Sequence, residues 1–418
     1  MKKSKNKIEN FKFLDQKFWS DFSHRIWEKK PLMLKKVKSP LLQIGEDEIF
    51  NLLLVYSDRC RQINNSAGFK FYIDGLSVGA EDVLQVLPIK QDKNLLGYHK
   101  RMNELFSDYC LVCDELLKIN SDKQKLLNEF TSELYKNVGF PNRFSEMGLY
   151  LGNYRKTPFG VHVDNCGVFS FPVVGVKKFR LWTSAFVKNN PELDRAFDYQ
   201  KYKKNSQIIS IRPGDMSYWP SSAWHIAESD GSFSATWSLG VWVDKTHQQI
   251  VSENLNTLLN KKLNQYGQTK TTSFKTLHTR TGEVKELPQD YLRSVKVLKK
   301  ITTKELKETF LKSWMTHISS QGFKNIPQTN KKISLHSKIQ LMHPQAKILW
   351  QKAASKKLVV YVCFGGVLLE VKKASNLLRL IKDVNKGLSC RVGDYLSGAT
   401  QKQDLLNLQK IINTGVFI

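Results

Sequence analysis

The chain has 418 residues, 41% of them hydrophobic, and its 65 Lys and Arg against 38 Asp and Glu give a net charge of +27. This length and apolar content exclude a disordered chain and predict two or three globular domains. No apolar run is long enough to cross a membrane, and the amino-terminal segment lacks the apolar stretch of a signal peptide. We therefore expect a cytoplasmic protein without membrane contact.

The six cysteines are dispersed along the chain, which favours reduced thiols in the cytosol over a disulfide framework. Cys110 and Cys113 form a CxxC pair, "CLVC". The sequence contains no second CxxC, and two thiolates are too few for a structural zinc site. We therefore assign no metal to this pair.

The positive charge is concentrated toward the carboxyl end. Residues 261–418 contain 29 Lys and Arg but only 9 Asp and Glu, so they carry a net charge of +20 out of +27. Such a surplus favours a polyanionic or acidic partner, namely nucleic acid, a ribosome or an acidic peptide. A lysine-rich surface without a specific partner explains the same composition, so both interpretations stay open.

Helices are predicted before the middle of the chain. Phe11, Phe18, Phe22 and Trp27 follow a near-helical spacing, and Pro31 ends that pattern. Residues 122–140 form a second predicted helix, because their apolar side chains fall on one face. Both segments precede the strand-rich part of the chain and are expected to flank it.

From residue 146 to about 243 the pattern changes to strands. Short apolar runs alternate with turn residues in "MGLYLGNY", "VFSFPVVG", "KKFRLW", "IISIRPGD" and "SATWSLGVWV". Many short strands at even spacing are typical of a small barrel or sandwich. This block is where we expect a ligand pocket.

Helices return from about 246 to 322. In the last of them Thr302 and Glu305 match a capping box, and Phe310, Trp314 and Ile318 lie at i+4 steps. Beyond it, short strands ("KLVVYVCFGGVLLEV") and helices ("ASNLLRLIKDV", "QDLLNLQKIINTG") predict a small α+β domain.

The most informative residues are His162 and Asp164 in "TPFGVHVDNCGVF". Residues two apart on a strand project to the same side, so the two side chains are expected to converge. His225, 63 residues after His162, follows a Pro-Gly-Asp turn and a strand, and it supplies a third ligand at the same rim. Two His and one carboxylate are the ligand set of non-haem Fe(II) oxygenases. His247 is an alternative third ligand, although its sequence favours a helix.

The strand "VKKFRLW" adds a possible anion site. Its period of two places Lys177, Phe179 and Leu181 on one face, and Lys178 and Arg180 on the other. A Lys among inward-facing apolar residues is costly to bury without an anionic partner, and the distal carboxylate of a 2-oxoglutarate cosubstrate is such a partner. We expect Lys178 and Arg180 to be solvated.

This combination resembles the JmjC-type, cupin-like Fe(II)/2-oxoglutarate oxygenases, above all the ribosomal oxygenase branch. In that family a His-x-Asp pair precedes a Gly-x-Lys or Gly-x-Arg strand, and a distal His follows a Pro-Gly-Asp turn. Here the motifs read "HVD", "GVK" and "PGDMSYWPSSAWH", and Lys177 follows His162 by 15 residues, which is also the family's interval. The segments "FSHRIWEKKPLMLK" and "GSFSATWSLGVWV" are similar to the family's entry motif and closing strand.

The resemblance implies an α+β architecture. Residues 1–245 would form the oxygenase domain, a double-stranded β-helix (cupin or jelly-roll barrel) with a helical amino-terminal flank. Residues 246–330 would form a helical dimerisation segment, and residues 331–418 a winged-helix-like domain. The expected assembly is a homodimer.

The resemblance also assigns the site. His162, Asp164 and His225 would bind Fe(II), and Lys177 would bind 2-oxoglutarate. Nearby residues that could line the pocket, although barrel packing is their expected role, are Trp219, Trp224, Trp237 and Asn165.

Three functions remain open at this point. The first is hydroxylation of a residue in a protein or peptide, with the basic carboxyl-terminal part holding the macromolecule. The second is tailoring of a natural product, such as a ribosomally made precursor peptide. The third is a non-catalytic protein that binds nucleic acid or the ribosome.

Overall fold

The computed structural model describes residues 13–66, 68–267, 283, 287–324, 331–341, 347–354 and 356–414. The chain divides into two compact units. The first contains the described residues up to 244 and those from 320 to 331, and the second contains mainly residues 245–319 and 332–411. No helix among the described residues is long and apolar enough to span a membrane.

The first unit mixes helices and strands. Its helices are α1 (Gln16–Arg25), α2 (Glu46–Gln62), α3 (Ala80–Val86), α4 (Leu95–Leu105), α5 (Ser121–Val138) and α6 (Ser184–Lys188). Its strands are β1 (Leu32–Leu34), β2 (Phe69–Ile73), β3 (Leu76–Ser77), β4 (Tyr109–Asp114), β5 (Phe144–Gly152), β6 (Cys166–Val174), β7 (Lys177–Trp182), β8 (Gln207–Ile211), β9 (Met216–Trp219), β10 (Trp224–Glu228) and β11 (Ser234–Trp242). The predicted strand-rich block is therefore confirmed.

These strands form two antiparallel sheets. The large sheet has the order β1-β9-β6-β11-β5-β4-β2-β3, and the small sheet has the order β10-β7-β8. After β6 the chain crosses to the small sheet for β7 and β8, returns for β9, crosses again for β10 and ends in the large sheet with β11. This repeated crossing produces a cupin-like antiparallel core, as the sequence predicted.

Pro172 lies in β6, an inner strand of the large sheet, where a residue without an N–H is normally excluded. The pairing of β6 with β11 shifts register between Ala235 and Thr236, and Pro172 is the residue opposite Thr236. On its other side β6 pairs with β9 only from Val168 to Ser170. The bulge therefore accommodates the proline.

One face of the large sheet packs against helices α1 and α5. Trp19 of α1 contacts Phe130 of α5 at 5.4 Å between ring centroids, and Phe130 contacts Phe169 of β6 at 5.3 Å. Both helices are capped locally: the Asp15 side chain accepts from the backbone N–H of Phe18, and α5 ends before Gly139 at a φ of 86°. The two predicted helices are confirmed, although α1 ends at Arg25, before Trp27, and Phe11 lies outside the described residues.

The second unit contains the basic part of the chain. Its helices are α7 (His247–Leu263), α8 (Gln289–Lys299), α9 (Thr303–Ser319), α10 (Leu377–Asn385) and α11 (Gln401–Ile412). Its strands are β12 (Lys338–Ile339), β13 (Leu349–Lys352), β14 (Val359–Phe364), β15 (Val367–Lys372) and β16 (Cys390–Arg391). Strands β13, β14 and β15 form one antiparallel sheet, and β12 pairs with β16.

Two details of this unit follow from the sequence pattern. Thr302 Oγ1 accepts from the backbone N–H of Glu305 at 3.2 Å, and Glu305 Oε2 accepts from the N–H of Thr302 at 2.9 Å, so the capping box is confirmed. Further along α9, Met315 packs with Tyr361 and Cys363 of β14.

Candidate metal centre

His162 and His225 are brought together by a short antiparallel pairing of their backbones. The N–H of His162 donates to the carbonyl of His225 at 3.0 Å, and the reverse bond is 2.7 Å. The ring centroids lie 4.4 Å apart. His225 lies in β10, and the residue paired with it, His162, lies outside the named strands. This backbone pairing therefore sets the distance between the two rings.

Asp164 completes the cluster. Its Oδ2 lies 3.7 Å from His162 Nε2 and 3.5 Å from His225 Nε2. One ligand atom from each of the three residues lies within 4.8 Å of the others, and no other such group occurs among the described residues. The three residues singled out in the sequence therefore converge on one point.

The orientation of the two imidazoles is set by backbone carbonyls. His162 Nδ1 lies 2.9 Å from the carbonyl of Gly160, and His225 Nδ1 lies 3.1 Å from the carbonyl of Ala223. A carbonyl only accepts, so each Nδ1 carries the proton and each Nε2 directs a lone pair into the space that it shares with the Asp164 carboxylate. Burial, together with the repulsion that a protonated His162 would add, lowers the pKa of His225 to about 4, so this ring is neutral at neutral pH.

A cavity of about 310 Å³ lies between the two sheets and includes this cluster. Its charged lining residues are Lys70, Asp114, Glu146, Asp164, Lys177 and Arg195, and its aromatic ones include Tyr150, Tyr154, Phe159, Phe179 and Trp219. A pocket of this size suits a small cosubstrate beside one inserted side chain.

Lys177 projects into the same cavity from β7 and is only 2% exposed. Its Nζ donates to the hydroxyl of Tyr154, and no carboxylate of the described residues lies within 4.0 Å of it. Burial lowers the pKa of Lys177 to about 7. The hydroxyl of Thr236, which also lines the cavity, has no hydrogen-bond partner in the described part of the chain. A buried cation and a free hydroxyl together fit an incoming carboxylate.

On the opposite face of β7, one of the two residues predicted to be solvated is buried. Lys178 is exposed as expected, but Arg180 is only 7% exposed, so the prediction that it is solvated is wrong. Its guanidinium binds both carboxylate oxygens of Glu228 at 2.8 and 3.1 Å, and Tyr199 donates to the same carboxylate at 2.6 Å. The segment 183–206, inserted between β7 and β8, covers this face and removes Arg180 from water.

The structure also shows where the alternative ligand His247 and the other candidate pocket residues lie. His247 is the exposed first residue of α7 and is not part of the cluster. Trp219 lines the cavity, with its ring centroid 5.1 Å from that of His225. Trp237 packs in the large-sheet core, Trp224 packs beside Val161 and Trp182, and Asn165 is exposed.

The CxxC pair does not form a common site. Both thiols are buried in β4, where Cys110 packs with Tyr154 and Cys113 packs in the large-sheet core. Residues three apart on a strand point to opposite sides. Burial raises the pKa of both thiols, that of Cys110 to about 12, so neither is a reactive thiolate at neutral pH.

Several pocket residues were not found by sequence reasoning. Asp114 ends β4 and pairs with Lys70 of β2 at 2.7 Å, and Glu146 lies in β5. Arg195 adopts a φ of 60°, and its N–H donates to the carbonyl of Val161 at 2.7 Å. All of them reach the cavity only through strand pairing or loop packing, which no local pattern shows.

The sequence of residues 128–249 matches the JmjC domain family. That range includes the three clustered residues and Lys177. A comparison with curated proteins finds no match.

The fold is similar to that of solved ribosomal oxygenase structures from Escherichia coli. A structure of the ribosomal oxygenase YcfD matches with a TM-score of 0.52 and 15% identity, over 96% of this chain and 97% of that one. YcfD in complex with cobalt and 2-oxoglutarate, and YcfD in complex with cobalt and succinic acid, each match with a TM-score of 0.51 at the same identity and coverage. At this identity the likeness concerns the fold.

Proposed function

We propose that this JmjC-type, 2-oxoglutarate-dependent oxygenase hydroxylates a residue of a protein or peptide. The observation that carries the proposal is one cavity in which His162, Asp164 and His225 converge while Lys177 is buried without a carboxylate partner. In the overall reaction, 2-oxoglutarate, O₂ and a C–H bond give succinate, CO₂ and a C–OH group.

His162, Asp164 and His225 would hold the iron. Two neutral imidazole nitrogens and one carboxylate fit Fe(II), and the bonds from each Nδ1–H to a backbone carbonyl hold the rings in place. Iron(II) bound there supplies the activation of O₂ that is coupled to oxidation of the cosubstrate. Asp164 is the most accessible of the three, with a side chain 36% exposed, so it faces the side from which a substrate enters.

Lys177 would bind the distal carboxylate of 2-oxoglutarate. The carboxylate would replace the water that the ammonium lost on burial. The hydroxyl of Thr236, which has no hydrogen-bond partner among the described residues, offers a second donor. Phe179 and Trp219 line the same cavity, with their ring centroids 4.5 Å apart, and give it an apolar wall beside His225. In the similar E. coli protein, cobalt structures hold 2-oxoglutarate or succinic acid.

The charged lining of the cavity suggests what kind of residue enters. Asp114 and Glu146 line the cavity, and burial together with the charge of Asp114 raises the pKa of Glu146. Asp114 already pairs with Lys70 at 2.7 Å, whereas the nearest cation to Glu146 is Lys324 at 3.9 Å. A further cationic group that reached Glu146 would relieve the remaining cost. We therefore propose a basic target side chain. Because the similar fold belongs to a ribosomal oxygenase, ribosomal proteins are the first substrates to test.

We also propose a homodimer that forms through the helical segment. Helix α8 exposes Tyr291, Val295 and Leu298, and α9 exposes Trp314, which belongs to the apolar face predicted from the sequence. Contiguous apolar side chains at helical spacing favour a self-complementary contact. Light scattering at micromolar concentration should give twice the chain mass, whereas a monomer would contradict the proposal.

The direct test is mass spectrometry of ribosomal proteins and basic peptides incubated with the protein, Fe(II), 2-oxoglutarate and O₂. We expect a gain of one oxygen atom on a basic residue, which is absent with His225→Ala. A gain that persists with His225→Ala would contradict the site. Turnover on a small-molecule scaffold with no protein target would favour a tailoring enzyme, and absence of any 2-oxoglutarate turnover would favour a non-catalytic binding protein.

A further inference from the structure

The second unit contains an open groove of about 620 Å³, and four of the nine residues that line it are cationic. Trp350 of β13 and Lys373, which directly follows β15, line it together with Arg379, Lys382 and Lys386 of helix α10. The groove belongs entirely to residues 350–386 and is separate from the oxygenase cavity.

Packing explains only one side of α10. Leu380, Ile381 and Val384 are buried, and they anchor the helix to its unit. On the groove side Arg379, Lys382 and Lys386 recur at steps of three and four, so they form one row. The stability of the fold does not require cations at these positions, since any polar side chain is tolerated on a solvated helix face.

The row is also poorly neutralised. Asp383 is the carboxylate that lines the groove, and its oxygens are engaged by Lys386 at 2.8 Å and by the hydroxyl of Tyr395 at 3.1 Å. Within the described part of the chain, no carboxylate lies within 4.0 Å of Lys373, Arg379 or Lys382. Among the described residues, three of the groove cations therefore have no ion pair, and the carboxylate of Asp383 beside them is already engaged.

An aromatic ring accompanies these cations. Trp350 is 37% exposed, and Lys382 Nζ lies 4.8 Å from its ring centroid. An exposed Trp beside a row of cations is the combination with which proteins bind single-stranded nucleic acids, because the bases stack on the ring while the phosphates contact Lys and Arg.

We propose that this groove binds single-stranded RNA. An acidic peptide would satisfy the local cations, but it would use neither the exposed ring nor the wider charge, since residues 261–418 carry 29 Lys and Arg against 9 Asp and Glu. A long polyanion can contact many of those cations at once. The groove is thus a binding site additional to the oxygenase cavity, and it does not depend on the proposed hydroxylation.

The test measures binding of a fluorescein-labelled single-stranded oligoribonucleotide of about 12 nucleotides to the full chain over a series of salt concentrations. The double variant Arg379→Glu with Lys382→Glu should weaken binding at least about tenfold and lower the salt slope by about two. The matched control, Lys402→Glu with Lys410→Glu, makes the same charge change on exposed positions of α11 and should cost less than about threefold.

Two further variants keep the test decisive. Circular dichroism shows whether the double variant is folded. If it is not, Lys373→Glu, which lies outside the helix, still tests the groove and should also weaken binding. Trp350→Ala should weaken binding to the single strand by roughly tenfold while changing duplex binding little. Equal losses in the groove and α11 variants, no effect of Trp350→Ala, or tighter binding of a polyglutamate peptide than of the oligonucleotide would each overturn the proposal.

Discussion

Two buried regions lie on opposite faces of β6. On the helix side, Trp19, Phe130 and Phe169 pack ring against ring and are almost completely buried. On the other side, between the sheets, Lys177 and His225 are buried almost as deeply. Burial of the aromatic rings in the first region stabilises the fold, whereas burial of the ionisable groups in the second region costs free energy because they lose hydration.

This difference separates stability from chemistry. Apolar rings that leave water stabilise the fold by about 1.5–3 kcal/mol each. Ionisable groups that leave water shift their pKa values instead, as Lys177 and His225 do. Substitutions in the cavity should therefore abolish or weaken catalysis with little loss of stability, and substitutions in the aromatic core should do the reverse.

The largest effect is expected at the proposed metal ligands. His162→Ala should abolish turnover, because it removes a ligand, while the backbone pairing with His225 keeps the strand in place. Anaerobic metal analysis should find one Fe(II) per chain in the parent and much less in the variant, with a similar melting temperature. A variant that retains full turnover would remove the ligand assignment.

The aromatic core should show the opposite behaviour. Phe169→Ala should lower the free energy of unfolding by about 3–5 kcal/mol, because it opens a cavity among close-packed rings. Urea denaturation measures this loss, and Phe197→Ala, which truncates an exposed ring, is the control. The folded fraction should retain its KM for 2-oxoglutarate. A large rise in that KM would show that the two faces of β6 are coupled.

Substitutions of Lys177 test the proposed 2-oxoglutarate site. Removing one partner of a buried charge-assisted pair costs about 2–5 kcal/mol, so Lys177→Ala should raise the KM for 2-oxoglutarate roughly 30-fold to several-thousand-fold. Lys177→Arg should lose less, because the charge remains. Lys178→Ala, on the opposite and exposed side of β7, should behave like the parent. If Lys178 were the sensitive position, the assignment of this strand's faces would be wrong.

The smallest effect concerns pH. Burial lowers the pKa of Lys177 to about 7, well below its value in an unfolded chain, so the unfolded state binds more protons between these two values. Stability without cosubstrate should therefore rise as pH increases through this window, and Lys177→Met should remove that slope. Affinity for 2-oxoglutarate should fall above about pH 7 as the ammonium loses its proton. Calorimetry in two buffers measures the accompanying proton uptake, and an unchanged proton balance in Lys177→Met would contradict this account.

Local patterns were sufficient to predict the centre of the site. His162 and Asp164 converge because side chains two apart on an extended segment share a side, and the face of Lys177 follows from the same period. The burial of Arg180 was not predictable, because its partner Glu228 lies 48 residues away on β10 and the pattern of the covering segment 183–206 does not show where that segment packs. Asp114 and Arg195 reach the cavity only through strand pairing and loop packing.

Incubation of a confirmed target peptide with the protein under ¹⁸O₂ tests the central claim most directly. If the cavity couples cosubstrate oxidation to hydroxylation, one ¹⁸O atom should appear in the hydroxylated residue and one in succinate, in equal amounts. His162→Ala should give neither product. Succinate labelled without any label in the peptide, even with saturating peptide, would contradict the account.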